Sequence, residues 1–155
     1  MNHFLRKVLT AWLLAGTLDI SAAFLQYYIK TGKGPEGVLK YIASAVFGKE
    51  KAFNDGNSML TWGLLFHYCV ALCFTLFFFL IFKPLLSALR NKIIIAVFYG
   101  VFMWTVMQVL VLPLTNAPKL TLTLQGAITA ILILIICIGL PLSFIAGEYH
   151  KRKTA

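Results

Sequence analysis

Four apolar runs divide the chain: Val8 to Ile29, Met59 to Phe82, Ile93 to Leu114 and Gln125 to Ala146. Each holds about twenty residues or slightly more, and at a rise of about 1.5 Å per residue such a helix crosses a hydrocarbon core about 30 Å thick. The polar stretches between them are short except for one, Lys30 to Ser58. That stretch opens on Lys-Thr-Gly-Lys-Gly-Pro and closes on Asn-Asp-Gly-Asn, both turn compositions. Between these turns Val38, Leu39, Ile42, Ala43, Val46 and Phe47 recur at helical spacing, with Glu36, Lys40, Ser44 and Lys49 off that face. Pro35 suits the first turn of such a helix and Gly48 its end. The pattern predicts an all-α integral membrane protein, a bundle of four transmembrane helices, with a short amphipathic helix over residues 35–48 in the first outer loop. Residues 1–155 form a single membrane domain, and too little chain remains for a separate soluble one.

Details within the runs refine this picture. The second run carries Phe74, Phe77, Phe78, Phe79 and Phe82, which are expected to face lipid, and Pro84 marks its exit. The third places Ala96, Gly100, Trp104 and Gln108 at intervals of four and ends at Pro113; the fourth contains Gly139 and Pro141, where a kink is expected. The start of the chain, through Leu18, has the outline of a secretory signal with a weak cleavage site near Ser21-Ala22-Ala23. The apolar run continues through Phe24, Leu25, Tyr27, Tyr28 and Ile29, however, and so is read as a span.

Composition supports the membrane reading, since 60% of residues are hydrophobic and 12% charged, against about 25% charged in soluble domains. The net charge of +9 is therefore read as a topology signal and not as a nucleic-acid surface. Eight basic residues (Arg6, Lys7, Lys83, Arg90, Lys92, Lys151, Arg152, Lys153) fall on the side of the termini, against six on the other (Lys30, Lys33, Lys40, Lys49, Lys51, Lys119). Both termini are predicted to be cytoplasmic. Cys69, Cys73 and Cys137 all lie within apolar runs and are read as packing residues. No spacing of Cys and His matches a metal site, and no cofactor is expected. Haem ligation is disfavoured because only His67 lies in a span, His3 and His150 being at the ends.

One residue breaks the apolar pattern. Asp19 sits inside the first run, where a charged group costs a few kcal/mol even on lenient scales and must face protein or water. Ala15, Gly16, Asp19, Ala22, Ala23 and Gln26 form a stripe of small and polar residues, the face that packs. The second run offers Gly63, His67 and Ala71 on a matching stripe. Counting from the outer ends puts Asp19 about 15 Å deep, His67 about 12 Å and Gln108 about 9 Å. The predicted polar centre is therefore Asp19 with His67, with Gln108 and Tyr68 as secondary members. The helix over 35–48 is a cap or lid above it, with Ser44 and Tyr41 as its site residues. The Asp19–His67 pair can be a register pin, a protonatable site on a solute or proton path, or an acid–base pair of an enzyme. No catalytic residue can be named, because Asp and His alone do not specify a reaction.

Several segments together resemble a group of small uncharacterised bacterial four-span membrane proteins. They are Ala-Gly-Thr-Leu-Asp-Ile at 15–20, Ile-Ala-Ser-Ala-Val-Phe-Gly at 42–48, Gly-Leu-Leu-Phe-His-Tyr at 63–68, Phe-Tyr-Gly-Val-Phe-Met-Trp at 98–104 and Val-Leu-Pro-Leu at 111–114. The resemblance covers residues 11–114 and implies a bacterial inner-membrane location. It marks Asp19, Ser44, His67 and Tyr99, and implies no activity. Taken together, the expectations are a binding, transport-related or accessory component in the bilayer, alone or with a second copy or another membrane protein, with its small-molecule ligand unidentified. The alternatives are a membrane-embedded enzyme acting on a lipid-like substrate and a purely structural subunit of a membrane complex.

Overall fold

The computed structural model describes residues 3–119 and 123–154, with side chains to residue 150, so the side chains of Lys151, Arg152 and Lys153 in the basic tail lie outside the described residues. Among the described residues the chain is helical, without strands. Helix α1 is His3–Thr31, α2 Glu36–Phe47, α3 Lys49–Asn54, α4 Ser58–Leu89 and α5 Lys92–Thr105. A π turn, Val106–Val111, and a 3₁₀ turn, Leu112–Leu114, extend α5. After α6, Leu124–Leu134, a second π turn, Ile135–Gly139, leads into α7, Leu140–Thr154. Four continuous helices of 29, 32, 23 and 27 residues result, each long and apolar enough to cross a membrane. Each of the four predicted intervals lies inside one of them.

The ends of the bundle differ. One gathers the chain termini and the turn between α4 and α5. There Lys7 lies 3.4 Å from Glu148, and Phe4 and Tyr149 pack with ring centroids 5.6 Å apart. The α4–α5 turn is only Arg90 and Asn91. Arg90 takes a left-handed backbone, φ 53°, and donates its N–H to Leu86, while the Asn91 side chain accepts from the amides of Ile93 and Ile94. Lys83, expected in a loop, is thus helical, because α4 passes through Pro84 instead of ending there. The other end carries α2, α3 and the segment after Leu114. Helix α3 was not anticipated.

At the terminal end the four long helices close on a core of Val8, Ala15, Phe78, Phe82, Ile95, Tyr99, Met103, Ile138 and Leu142. Phe78 and Phe82 are fully buried and Phe79 nearly so. That corrects the expectation that this cluster faces outward, since of the five only Phe77 is exposed. A helix apolar all round gives no hint of which aromatics point inward. The polar atoms in this core are bonded to backbone: Tyr99 Oη donates to Phe74 C=O at 2.6 Å, Thr75 Oγ1 to Ala71 C=O at 2.8 Å, and Ser143 Oγ to Lys92 C=O at 2.7 Å. The outer surface is apolar, with Leu25, Ile29, Leu80, Phe98, Val109 and Ile136 each more than half exposed. An apolar surface of this extent marks a contact with a membrane or another protein.

Each π turn ends two residues before a proline. Pro113 and Pro141 have no N–H to offer the carbonyls of Val109 and Cys137, four residues back. The chain widens there, so that Leu112 bonds to Met107 and Leu140 to Ile135, each across five residues. The fourth long helix therefore passes from the π turn at Ile135–Gly139 into α7 and continues through Pro141. In this region α5 and the fourth helix approach closely: a Cβ on Gly139 would strike the backbone of Ala96, and one on Gly100 the backbone of Ile135.

Candidate functional site

The polar seam of α1 and α4 begins with small residues. Ala15 and Gly16 are buried, and the space beside Gly16 is filled by the Tyr68 ring and Ala71 of α4. Contact at this distance lets side chains reach the neighbouring backbone. Trp12 Nε1 donates to Tyr68 C=O at 2.8 Å, and the hydroxyls of Thr17 and Tyr68 share a hydrogen bond of 2.8 Å. The Trp12 and His67 rings meet the Tyr68 ring edge-on, at 5.9 and 5.4 Å. His67 Nε2 lies 2.9 Å from Gly16 C=O. A carbonyl only accepts, so Nε2 carries the proton of that bond.

Asp19 follows Gly16 by one turn. Its carboxylate is within electrostatic range of His67 and of the Cys137 thiol in the second π turn. It makes no hydrogen bond and no ion pair among the described residues. Neither oxygen is sealed away, since no buried side-chain oxygen among the described residues lacks a partner. Asp19 and His67 are thus neighbours, while the hydrogen bond of His67 goes to backbone. Tyr68 belongs to the same seam.

Gln108 is elsewhere. The π turn that begins at Val106 turns the helix by about one residue, roughly 100°, off the Ala96–Gly100 line. Gln108 lines a 270 Å³ cavity with Tyr41, Leu112, Pro113 and Pro118 at the loop end. Tyr41 Oη donates to Pro118 C=O at 3.2 Å, and burial pushes the Tyr41 phenol above its ordinary range. Ser44 Oγ donates to Tyr41 C=O at 2.6 Å, and Ser44 is fully buried, where the helical pattern had placed it off the apolar face. The last carbonyls of α2, which have no partner within the helix, are taken by Asn116: its amide donates to Ala45 C=O and its side chain to Val46 C=O.

A second groove, of 310 Å³, runs between α1 and α6. Its walls are Ala22, Leu25 and Ile29 from α1 and Ile133 from α6, with Gln26 and Thr129 as polar members. Ala22 and Gln26 lie one and two turns beyond Asp19 on the stripe read from the sequence, and Ile133 lies one turn from Cys137. The groove and the acid therefore share one seam. No group of three His, Cys, Asp or Glu among the described residues is placed to hold a metal ion.

Two members of this neighbourhood were missed. Cys137 lies twelve residues inside Gln125, about 18 Å at helical rise, so the same depth count that matched Asp19 with His67 would have found it. The Gly16 carbonyl leaves no trace in a sequence, because every residue carries one. Comparison of the chain with protein-family models, curated proteins and solved structures finds no match.

Proposed function

We propose that the protein is a multi-pass component of a bacterial cytoplasmic membrane, with both termini cytoplasmic, that binds a proton or small solute at Asp19 and serves in transport. The single observation that carries this reading is a carboxylate in the middle of an apolar helix that has a histidine neighbour, no hydrogen bond among the described residues and oxygens that are not sealed. An acid kept only to fix helix register would be bonded to its partner; one that exchanges a proton or a cation needs lone pairs within reach. The excess of basic residues at the terminal end supports the orientation. Helix α2, with its polar and apolar faces, then lies at the outer interface as a cap over the bundle.

The test uses dicyclohexylcarbodiimide, an apolar reagent that attacks protonated carboxylic acids from the bilayer. Intact membranes carrying the protein should yield one adduct, mapping to Asp19 and absent from Asp19→Asn. Failure to label Asp19 while the chain is folded would overturn the proton-binding reading. A second reading, an enzyme acting on a lipid-like substrate, is favoured by the apolar groove beside the same seam. It requires that reconstituted protein change the composition of its vesicle lipids and that Asp19→Asn abolish the change.

A further inference from the structure

The geometry points to a binding site for the phosphate of an anionic phospholipid between the first turns of α1 and the last turns of α7. A groove of 350 Å³ there is lined by His3, Arg6, Lys7 and Thr10 of α1 and by Ile145 of α7. The site goes beyond the reading of Asp19 and does not depend on it; it rests only on α1 and α7 crossing a bilayer.

Two cations line this groove for different reasons. Lys7 pairs with Glu148 of α7 at 3.4 Å across the α1–α7 junction, so its charge there is shared with a carboxylate. The Arg6 guanidinium makes no hydrogen bond or ion pair among the described residues. Guanidinium offers a planar fork of donors that fits two phosphate oxygens at once, and such charge-assisted pairs are the strong ones. His3 stacks on Tyr149 with centroids 5.9 Å apart, which holds its ring beside the groove. The Thr10 hydroxyl already donates to Arg6 C=O at 2.9 Å, so recognition falls to the cations.

Position decides between a lipid and a soluble anion. Arg6 and Lys7 immediately precede the apolar run that starts at Val8, the level at which head groups lie when that run is in the hydrocarbon. Leu13 and Leu14 are three and four residues beyond Thr10, on the same face of α1, and about half exposed at 51% and 46%. A phosphate held by Arg6 thus has an apolar strip leading from it into the bilayer, where an acyl chain can lie. Anionic head groups are preferred because a choline or ethanolamine nitrogen would meet the same two cations.

The experiment is native mass spectrometry of the full chain in mild detergent, titrated with dioleoyl phosphatidylglycerol, with dioleoyl phosphatidylcholine, or with sodium phosphate. Phosphatidylglycerol should bind about tenfold more tightly than phosphatidylcholine, and Arg6→Gln should remove most of that preference. Lys83→Gln, at the same end but outside the groove, should not. Arg6→Gln breaks no bond among the described residues, so the variant should fold, which its elution on gel filtration checks. Equal binding of the two lipids, or unchanged preference in Arg6→Gln, would overturn the site. Full displacement of phosphatidylglycerol by sodium phosphate would overturn the lipid as its occupant. Loss of the protein from membranes on an alkaline carbonate wash would instead remove the membrane reading on which the site stands, an outcome the lipid titration does not produce.

Discussion

Around Tyr99 the long helices close on Phe78, Phe82, Ile95 and Leu142, with every buried hydroxyl bonded to a neighbouring backbone. Around Asp19, nearer the loop end, the same helices leave a carboxylate without a hydrogen bond among the described residues, and two cavities of 310 and 270 Å³ lie in that half. The contrast teaches how a small bundle can hold a costly group. Aromatic packing around Tyr99 and close backbone contact at Gly139 and at Gly63 fix the helices on both sides of the Asp19 seam, so the seam itself need not be optimised for stability. The glycines make the difference concrete. Gly139 faces the backbone of Ala96 in the packed half and Gly63 that of Leu39 at the loop end, whereas Gly16, beside Asp19, faces the edge of a tyrosine ring.

The largest effect should therefore come from adding one methyl group in each half. In Gly139→Ala the new Cβ collides with the Ala96 carbonyl, which cannot move without its helix; the cost is about 3 kcal/mol, at the upper end for overpacking. In Gly16→Ala the Cβ would lie 3.1 Å from a Tyr68 ring carbon and 3.5 Å from Ala71 Cβ. A ring can give by a few tenths of an ångström, so thermal unfolding in detergent should be almost unchanged. Equal losses for the two variants would erase the distinction between the fixed contact at Gly139 and the adaptable one at Gly16.

The second effect is smaller and lies within the polar half. His67→Ala loses the hydrogen bond to Gly16 C=O, at a cost of about 1 kcal/mol, or about 2–4 °C in melting temperature for a chain of this length. Asp19→Ala loses no hydrogen bond and removes a poorly solvated acid, so its melting temperature should match or exceed that of the unchanged chain. If Asp19→Ala were as damaging as His67→Ala, and the double variant less damaged than the sum, the two residues would form a structural pair and the functional reading of Asp19 would fall.

What the sequence reveals follows the same division. Length and apolar character are local, so the four long helices could be read from it, and the helix Glu36–Phe47 falls within the interval that Pro35 and Gly48 mark. Facing is not local in a helix apolar on every side, which is why Phe78, Phe79 and Phe82 were assigned to lipid. A proline announces a lost donor, but whether the chain answers with a kink, a π turn or unbroken helix depends on its neighbours. Pro113 and Pro141 have π turns and Pro84 has none. That choice moved Gln108 away from the Ala96–Gly100 stripe on which simple periodicity had placed it.

The smallest effect concerns the cap over the loop end, where Tyr41 closes the cavity that Gln108 lines. Its neutral phenol donates to Pro118 C=O, and burial holds it in the neutral form to higher pH than an ordinary tyrosine. The sign follows from that. A folded-state pKa above the unfolded value of about 10 means that the contact is intact at all lower pH and is lost only as pH rises past the raised value. The tyrosinate absorbance of the unchanged chain minus that of Tyr41→Phe isolates this one phenol, and its midpoint should lie above about 10. The stability difference between the two proteins should be constant below the unfolded value of about 10 and shrink as pH rises from there through the raised folded value. A midpoint at or below the ordinary value would mean that Tyr41 stands in open solvent. The segment from Thr115 to Pro118 would then not close on α2, and the cavity at the loop end would be an open surface.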